Sequence, residues 1–277
     1  MHAGSSFTGA TERLAALLAG GGVFVLTGAG VSTASGIPDY RDERGQWKRS
    51  PPMQFREFVG SDAARRRYWA RSVLGFKVLG AARPNRAHEI LADWEQRGLV
   101  SSIVTQNVDG LHQAAGAGNV IDLHGRIDRV VCLACGALTT RSALQATLCE
   151  LNPHWAARDG AIAPDGDADP GGADFSDFRV VGCGCGGLLK PDVVFFGENV
   201  PKTRVEGAMA ALAAARALLV VGSSLMVFSG YRFVRAAERL GLPVAVVNRG
   251  STRADAAAAL KVDGDAGEVL SRAADSF

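Results

Sequence analysis

Two tight cysteine pairs, Cys132-Leu133-Ala134-Cys135 and Cys183-Gly184-Cys185, are the residues whose spacing most directly specifies a chemistry. Thiolates this close on a turn can hold one metal ion together. Two such pairs supply the tetrahedral sulfur set that zinc takes, with sulfur at ~2.3 Å. The second pair is one residue shorter than the usual spacing, and its central glycine permits the tighter bite. With four thiolates bound, zinc has no open position, so the expected ion is structural. The rival reading, two buried apolar cysteine pairs, leaves the spacing unexplained. The remaining cysteine, Cys149, falls in a helical pattern with Leu144, Leu148 and Leu151 and is read as packing. An odd number of cysteines in this arrangement is a poor disulfide framework.

A second chemistry begins at the apolar run Val23-Phe24-Val25-Leu26-Thr27, which passes directly into Gly28-Ala29-Gly30-Val31-Ser32-Thr33-Ala34-Ser35-Gly36-Ile37-Pro38-Asp39-Tyr40-Arg41. Glycines after a buried strand let backbone N–H groups approach a pyrophosphate, and a helix N-terminus stabilises its charge. The dinucleotide fingerprint wants its third glycine at position 33, which is Thr33, and no acidic residue closes a second strand ~20 residues on. Dinucleotide binding is indicated and hydride transfer is disfavoured. Asp39 and Arg41 follow Pro38 on a loop expected to close over the cofactor, where a guanidinium can neutralise phosphate.

Other polar residues cluster at the ends of further apolar runs. Gln106, Asn107 and Asp109 follow Ser102–Thr105, and Gly222, Ser223 and Ser224 follow Leu218–Val221. His124 comes just past Val120–Leu123, at the carboxyl end of a strand, where open α/β sheets bind ligands. An imidazole titrating near neutral pH suits proton abstraction from a hydroxyl, and His124 is the candidate base. His2, His88 and His154 lack that context, and His112 reads as an orienting or packing group.

The elements that must position these groups are legible as alternation. The runs at 23–27, 102–105, 120–123, 218–221 and 244–247 suit strands buried on both faces of a parallel sheet. Helical patterns lie between them, with Leu14, Leu17 and Leu18 on one face, Ile90, Leu91 and Trp94 on another, and Phe233, Ala236, Ala237 and Leu240 on a third. The fold class is α/β: a Rossmann-like doubly wound parallel sheet, with a smaller helical and zinc-binding lobe. Residues 1–45, 86–126 and 190–277 are assigned to the dinucleotide domain. Residues 46–85 form a helical insertion, and residues 127–189 a zinc-binding insertion carrying the Asp/Gly/Pro-dense loop Arg158–Asp177.

At 277 residues with 47% hydrophobic and 21% charged residues, the chain is long and apolar enough for a self-sufficient core, which excludes wholesale disorder. A formal net charge of +2 argues against direct nucleic-acid or membrane-surface binding. No apolar run reaches the ~20 residues of a membrane span, and Met1–Gly20 lacks the layout of a signal peptide, so a cytoplasmic location is expected.

The loop GAGVSTASGIPDYR resembles the dinucleotide loop of the sirtuins, NAD-dependent protein lysine deacylases. The resemblance continues in order through Thr105–His112, Leu123-His124-Gly125, the two cysteine pairs, Lys190–Glu198, Val221–Ser224 and Val247-Asn248-Arg249-Gly250, covering residues 20–270. It implies that the acyl-lysine carbonyl oxygen attacks the nicotinamide ribose, nicotinamide leaves, and the acyl group ends on ADP-ribose. It further implies NAD as co-substrate, one structural zinc per chain and acyl-lysine proteins as substrates. Gly28, Ala29, Gly30, Ser32, Asp39, Tyr40, Arg41, Gln106, Gly222, Ser223, Ser224, Asn248, Arg249 and Gly250 would then contact NAD. In the family's terms Asn107 orders the ribose, Asp109 meets the nicotinamide end, His124 is the base, and Ala266 offers a backbone contact to adenine.

Val193, Val194, Phe195, Phe196, Gly197 and Glu198 read as an extended segment; an ordinary core strand is one reading, and the resemblance implies that the segment pairs with the substrate peptide, with residues 226–229 on its other side. Tyr68 and Arg71, three apart on a helix, resemble the device by which some sirtuins hold acidic acyl groups, so acidic or longer acyl chains are expected over acetyl. Tyr-Trp-Ala-Arg at 68–71 and the long insertion at 136–182 are most similar to the class II sirtuins, which include the mitochondrial lipoamidase type. Mono-ADP-ribosyl transfer in the same pocket and non-catalytic NAD sensing stay open as alternatives. Retention of His124, Asn107 and Asp109 together speaks against sensing, because binding alone needs no base.

Overall fold

A computed structural model describes residues 3–48, 52–158, 161–162, 168–169 and 171–277. In chain order the helices are α1 (Ala3–Ala19), α2 (Phe55–Gly60), α3 (Asp62–Leu79), α4 (Arg86–Gln96), α5 (Leu111–Ala114), α6 (Arg141–Leu151), α7 (Pro153–Ala156), α8 (Lys202–Ala213), α9 (Phe228–Leu240) and α10 (Ala266–Ala274). The strands are β1 (Val23–Thr27), β2 (Val100–Thr105), β3 (Val120–Asp122), β4 (Gly125–Cys132), β5 (Leu138–Thr140), β6 (Ala161–Ile162), β7 (Ala168–Asp169), β8 (Leu189–Val193), β9 (Ala217–Val221), β10 (Val244–Val247) and β11 (Leu260–Val262).

The large sheet runs β11-β10-β9-β1-β2-β3, and every pairing in it is parallel. Strand order reverses at β1, which pairs with β2 on one side and β9 on the other; the crevice above such a switch point is where doubly wound sheets bind ligands. Strands β1, β9 and β10 are buried at every position, so each side chain meets a helical layer whichever face it takes. One layer packs α1, α4 and α10 around Leu14, Leu18, Trp94 and Leu270. The opposite layer packs α8 and α9 around Leu212, Phe233 and Ala237. Leu240, expected on the buried face of α9, is exposed: it ends the helix just before Gly241 turns the chain into the left-handed region.

The smaller lobe is antiparallel. Its sheet runs β5-β4-β8, and the chain enters it at Gly125 and leaves it at Val193, which are paired. Helices α3 and α6 and Trp155 of α7 pack on it around Trp69, Leu144, Leu148 and Phe178. Part of the acidic loop expected at 158–177 lies outside the described residues. Among the described residues, no helix is long and apolar enough to cross a membrane.

Candidate active site

The carboxyl ends of β1, β2 and β9 open into a cavity of about 490 Å³. Of the expected NAD contacts, Gly28, Ala29, Gly30, Ser32, Asp39, Tyr40, Arg41, Gln106, Asn107, Asp109, His124, Gly222, Ser223, Ser224, Asn248 and Arg249 line it. Gly250 and Ala266 do not. Gly250 (φ +77°) lets its loop close against Glu43, and Ala266 is buried at the start of α10 in the core beneath.

The glycine loop is held by close backbone packing. Gly28 N–H donates to the Val221 carbonyl (3.1 Å) and Gly30 N–H to the Gly222 carbonyl (2.8 Å). A Cβ on Gly28 would stand 2.7 Å from Ser223 Cβ, and one on Gly222 (φ +62°) 2.5 Å from Val31 N. Two turns from separate strands therefore fit together only because neither carries a side chain there. No α-helix follows the loop at once, as the sequence pattern had implied. Two 3₁₀ turns, Ala29–Val31 and Thr33–Ser35, take its place, and Gly36 (φ +84°) ends them ahead of Pro38. Beyond them Asp39 pairs with Lys48 at 2.5 Å, and the Arg41 guanidinium lies 3.9 Å from the Trp47 ring centroid while donating to the Gly45 carbonyl (2.7 Å). Tyr40, Trp47 and Phe196 form a cluster of edge-on aromatic contacts across the cavity mouth.

His124 is held from both edges. Its Nδ1 lies 2.8 Å from the Gln106 carbonyl, which can only accept, so Nδ1 carries the proton and Nε2 the lone pair. Burial is the main cause that pushes this imidazole down to about 4; the Gln106 carbonyl opposes it, and the Arg204 and Arg232 charges add to it. At neutral pH it is a bare base. Its own carbonyl accepts from Val194 N–H (2.8 Å), which ties the base to the segment expected to meet substrate. Gly125 (φ +85°) makes the approach possible, because any Cβ there would overlap the Asp192 carbonyl.

Ser32 gathers the polar groups at the end of β2. Asn107 Nδ2 donates to Ser32 Oγ (2.9 Å) and to the Gly28 carbonyl (3.1 Å), while Ser32 Oγ donates to Asp109 Oδ2 (2.7 Å). Asp109 Oδ1 accepts from Leu111 N–H (2.9 Å). Beneath them lie two buried imidazoles, His88 and His112, with ring centroids 4.8 Å apart. His112 Nε2 is 2.9 Å from Thr27 Oγ1, and burial followed by the neighbouring His88 pushes His112 down to about 3. This pair makes a neutral, hydrogen-bonded floor under Ser32.

On the substrate side, Val194, Phe195, Phe196, Gly197 and Glu198 all line the cavity. Only Val193 of the expected extended run belongs to a ladder strand; Phe196 makes a single bridge to Gln54. Glu198 accepts from Phe195 N–H (2.8 Å) and from the buried Lys190 ammonium (3.0 Å), so its carboxylate locks the segment's turn. Tyr68 lines the cavity and packs on Phe58 and Phe195, whereas Arg71, on the same helix, does not line it. Two lining residues on the first turns of α9 bear on the base. Ser229, expected only as the end of the peptide-flanking stretch 226–229, has its hydroxyl 2.8 Å from His124 Nε2. Arg232, which sequence reasoning missed because the helical pattern there read only as core, has a buried Nε with no hydrogen-bond partner.

In the smaller lobe, the Sγ atoms of Cys132, Cys135, Cys183 and Cys185 all lie within 4.8 Å of one another. The closest pairs are Cys132–Cys185 at 3.5 Å and Cys135–Cys183 at 3.8 Å. Tetrahedral thiolates around zinc stand ~3.8 Å apart, so the donor set and spacing fit that ion. The N–H of Cys135, then that of Ala134, pulls the Cys132 thiol down to about 6, toward the thiolate a metal needs. Gly187 is required beside them, since a Cβ there would stand 2.6 Å from Cys132 Sγ. Cys149 lies outside this cluster and packs at the edge of the lobe's core.

The profile of the Sir2 family matches residues 28–229. An NAD-dependent protein deacetylase of Bordetella bronchiseptica is 59% identical over 265 residues, covering 95% of this chain and 93% of that one. NAD-dependent protein deacetylase 2 of Bradyrhizobium diazoefficiens is 57% identical over 242 residues, covering 87% and 89%. Among solved structures, a Sir2–p53 peptide–NAD⁺ complex superposes with a TM-score of 0.76 at 30% identity, covering 96% and 98%. A Sir2 bound to acetylated peptide gives 0.74 at 28% over the same shares.

Proposed function

Because the chain belongs to the Sir2 family, we propose that it is an NAD-dependent protein-lysine deacylase, which transfers the acyl group of acyl-lysine to ADP-ribose and releases nicotinamide. The observation that carries this reading is His124: a neutral imidazole at the carboxyl end of the sheet, with Nδ1 committed to Gln106 and the basic lone pair on Nε2, in a cavity bounded by two glycine turns.

The chain's residues divide the work. The packed turns at Gly28–Gly30 and Gly222–Ser224, with Asn248 and Arg249, hold the dinucleotide, and Arg41 offers charge to its phosphates. Asn107 and Asp109, oriented through Ser32, meet the ribose and carboxamide. His124 accepts the ribose hydroxyl proton at Nε2. The segment 194–198 and residues 226–229 flank the acyl-lysine peptide. Cys132, Cys135, Cys183 and Cys185 would hold a structural zinc ion, which would cross-link the smaller lobe with all four of its positions filled by thiolates.

Finer features extend the proposal. Tyr68, Leu79, Met53 and Phe195 all line the cavity, and this apolar lining supports a preference for acyl chains longer than acetyl. Arg232, which lines the same cavity with an unpartnered Nε, is the cation we assign to an acidic acyl group. The Tyr-Trp-Ala-Arg wording and the insertion at 136–182 support a class II assignment. A cytoplasmic location accords with a chain free of membrane-spanning helices among its described residues.

The test is mass spectrometry of an acyl-lysine peptide panel incubated with NAD. Deacylated peptide together with O-acyl-ADP-ribose, both lost in His124→Ala, is the expected result. Protein-bound ADP-ribose with intact acyl-lysine would replace deacylation by ADP-ribosyl transfer.

A further inference from the structure

The lone pair that His124 needs for proton abstraction already has a partner. Nδ1–H donates to the Gln106 carbonyl, so the 2.8 Å contact between Nε2 and Ser229 Oγ has the serine hydroxyl as donor. Ser229 is nearly buried, on the first turn of α9. Gly230 follows it, and a Cβ there would stand 2.5 Å from Gln106 Oε1. One helical turn is therefore fitted both to the imidazole's outer edge and to the residue that grips its inner edge. Gln106 is itself fixed by donating to Ser223 Oγ (2.7 Å) and the Thr27 carbonyl (3.2 Å).

We propose that Ser229 is a positioning residue for His124, steadying the ring in the plane that the Gln106 carbonyl sets and, by turning aside, leaving Nε2 to the cosubstrate's ribose hydroxyl. A hydroxyl suits this place because it serves both protonation states. It donates to the bare Nε2 while the cosubstrate is absent, turns aside to leave that lone pair to the ribose hydroxyl, and can accept from Nε2–H once the proton has been transferred. The charged groups that bear on His124 are Arg204 of α8 and Arg232 of α9, both cationic and both opposed to an imidazolium. Among the described residues no carboxylate bears on the ring itself, so a neutral hydroxyl is the partner that steadies it without fixing its charge.

The role rests on the deacylase reading, but part of its test does not. In NAD-free protein, ¹⁵N spectra of the imidazoles should show His124 as a single Nδ1–H tautomer between pH 6 and 8. Ser229→Ala should keep the Nδ1–H tautomer that the Gln106 carbonyl fixes, shift the Nε2 resonance toward that of an unbonded lone pair and move the titration to higher pH, while Ser229→Thr should keep the wild-type pattern. In turnover, Ser229→Ala should lower kcat by about tenfold with the KM for NAD within twofold, and Ser229→Thr should recover most of kcat. Wild-type spectra and kcat in Ser229→Ala would overturn the proposal, as would a Thr variant as impaired as the Ala one, which would mark a packing role. Should the wild type deacylate no peptide, the deacylase reading fails while the spectra still decide the part played by Ser229.

Discussion

His112 offers a direct measurement of how far the core beneath the site depends on staying uncharged. It is fully buried on α5, its Nε2 bonds to Thr27 Oγ1, its Nδ1 has no partner, and burial brings it from 6.5 down to about 3. The folded protein refuses a proton that the unfolded chain accepts below pH 6.5, so stability is intact above that pH and falls as pH drops toward 3. The slope is ~1.4 kcal/mol per pH unit. That is roughly 2 kcal/mol lost by pH 5 and roughly 5 kcal/mol over the whole interval, comparable to the net stability of a domain. His112→Gln can still offer an amide to Thr27 but does not titrate. Urea unfolding of the zinc-loaded protein at pH 7.5, 6 and 5 should find the variant less stable than wild type at pH 7.5, by about 1 kcal/mol. The gap should then close by roughly 2 kcal/mol at pH 5, reversing the order. Parallel stability curves from pH 7.5 to 5 would refute the reasoning, because they would mean that His112 titrates alike folded and unfolded.

Three further outcomes follow from the same geometry. Gly125→Ala should cost roughly 2–4 kcal/mol and abolish deacylation, because the new Cβ meets the Asp192 carbonyl at a left-handed position; a wild-type melting temperature would contradict it. Cys185→Ser should lower the bound zinc, measured by plasma emission, well below one per chain and broaden thermal unfolding, whereas a wild-type protein purified without zinc would remove the metal assignment. With an acyl panel, Arg232→Ala should reduce kcat/KM for succinyl and glutaryl peptides about tenfold relative to acetyl, while Arg71→Ala leaves that ratio unchanged. A wild type that clearly prefers acetyl would end the acidic-acyl reading.

Much of the architecture was legible because parallel strands buried on both faces are continuous apolar runs. Val23–Thr27, Leu218–Val221 and Val244–Val247 could hardly be anything else. The cysteine pairs stood out because metal ligation demands particular atoms at short spacing, which survives in sequence even across a long insertion. Strand β11 escaped notice because Lys261 interrupts its short apolar run, and β4 because its alternation is irregular. Residues 194–198 read as strand-like, yet their extended course is set by Glu198 and Lys190 rather than by a ladder.

What the sequence alone determined about this protein was the cast: a glycine turn after a buried strand, an imidazole at a strand's end, amides and a carboxylate at another, and four thiolates. Each of those is a requirement on residue type, and residue type is written in the chain. What only the tertiary structure decided was orientation and company. That Gly28 and Gly222 are glycines for each other's sake, that Arg232 rather than Arg71 faces the cavity, and that Ser229 caps His124 all depend on contacts between residues a hundred or more positions apart. Such contacts follow from how helices and loops pack on the sheet, and no local pattern encodes them.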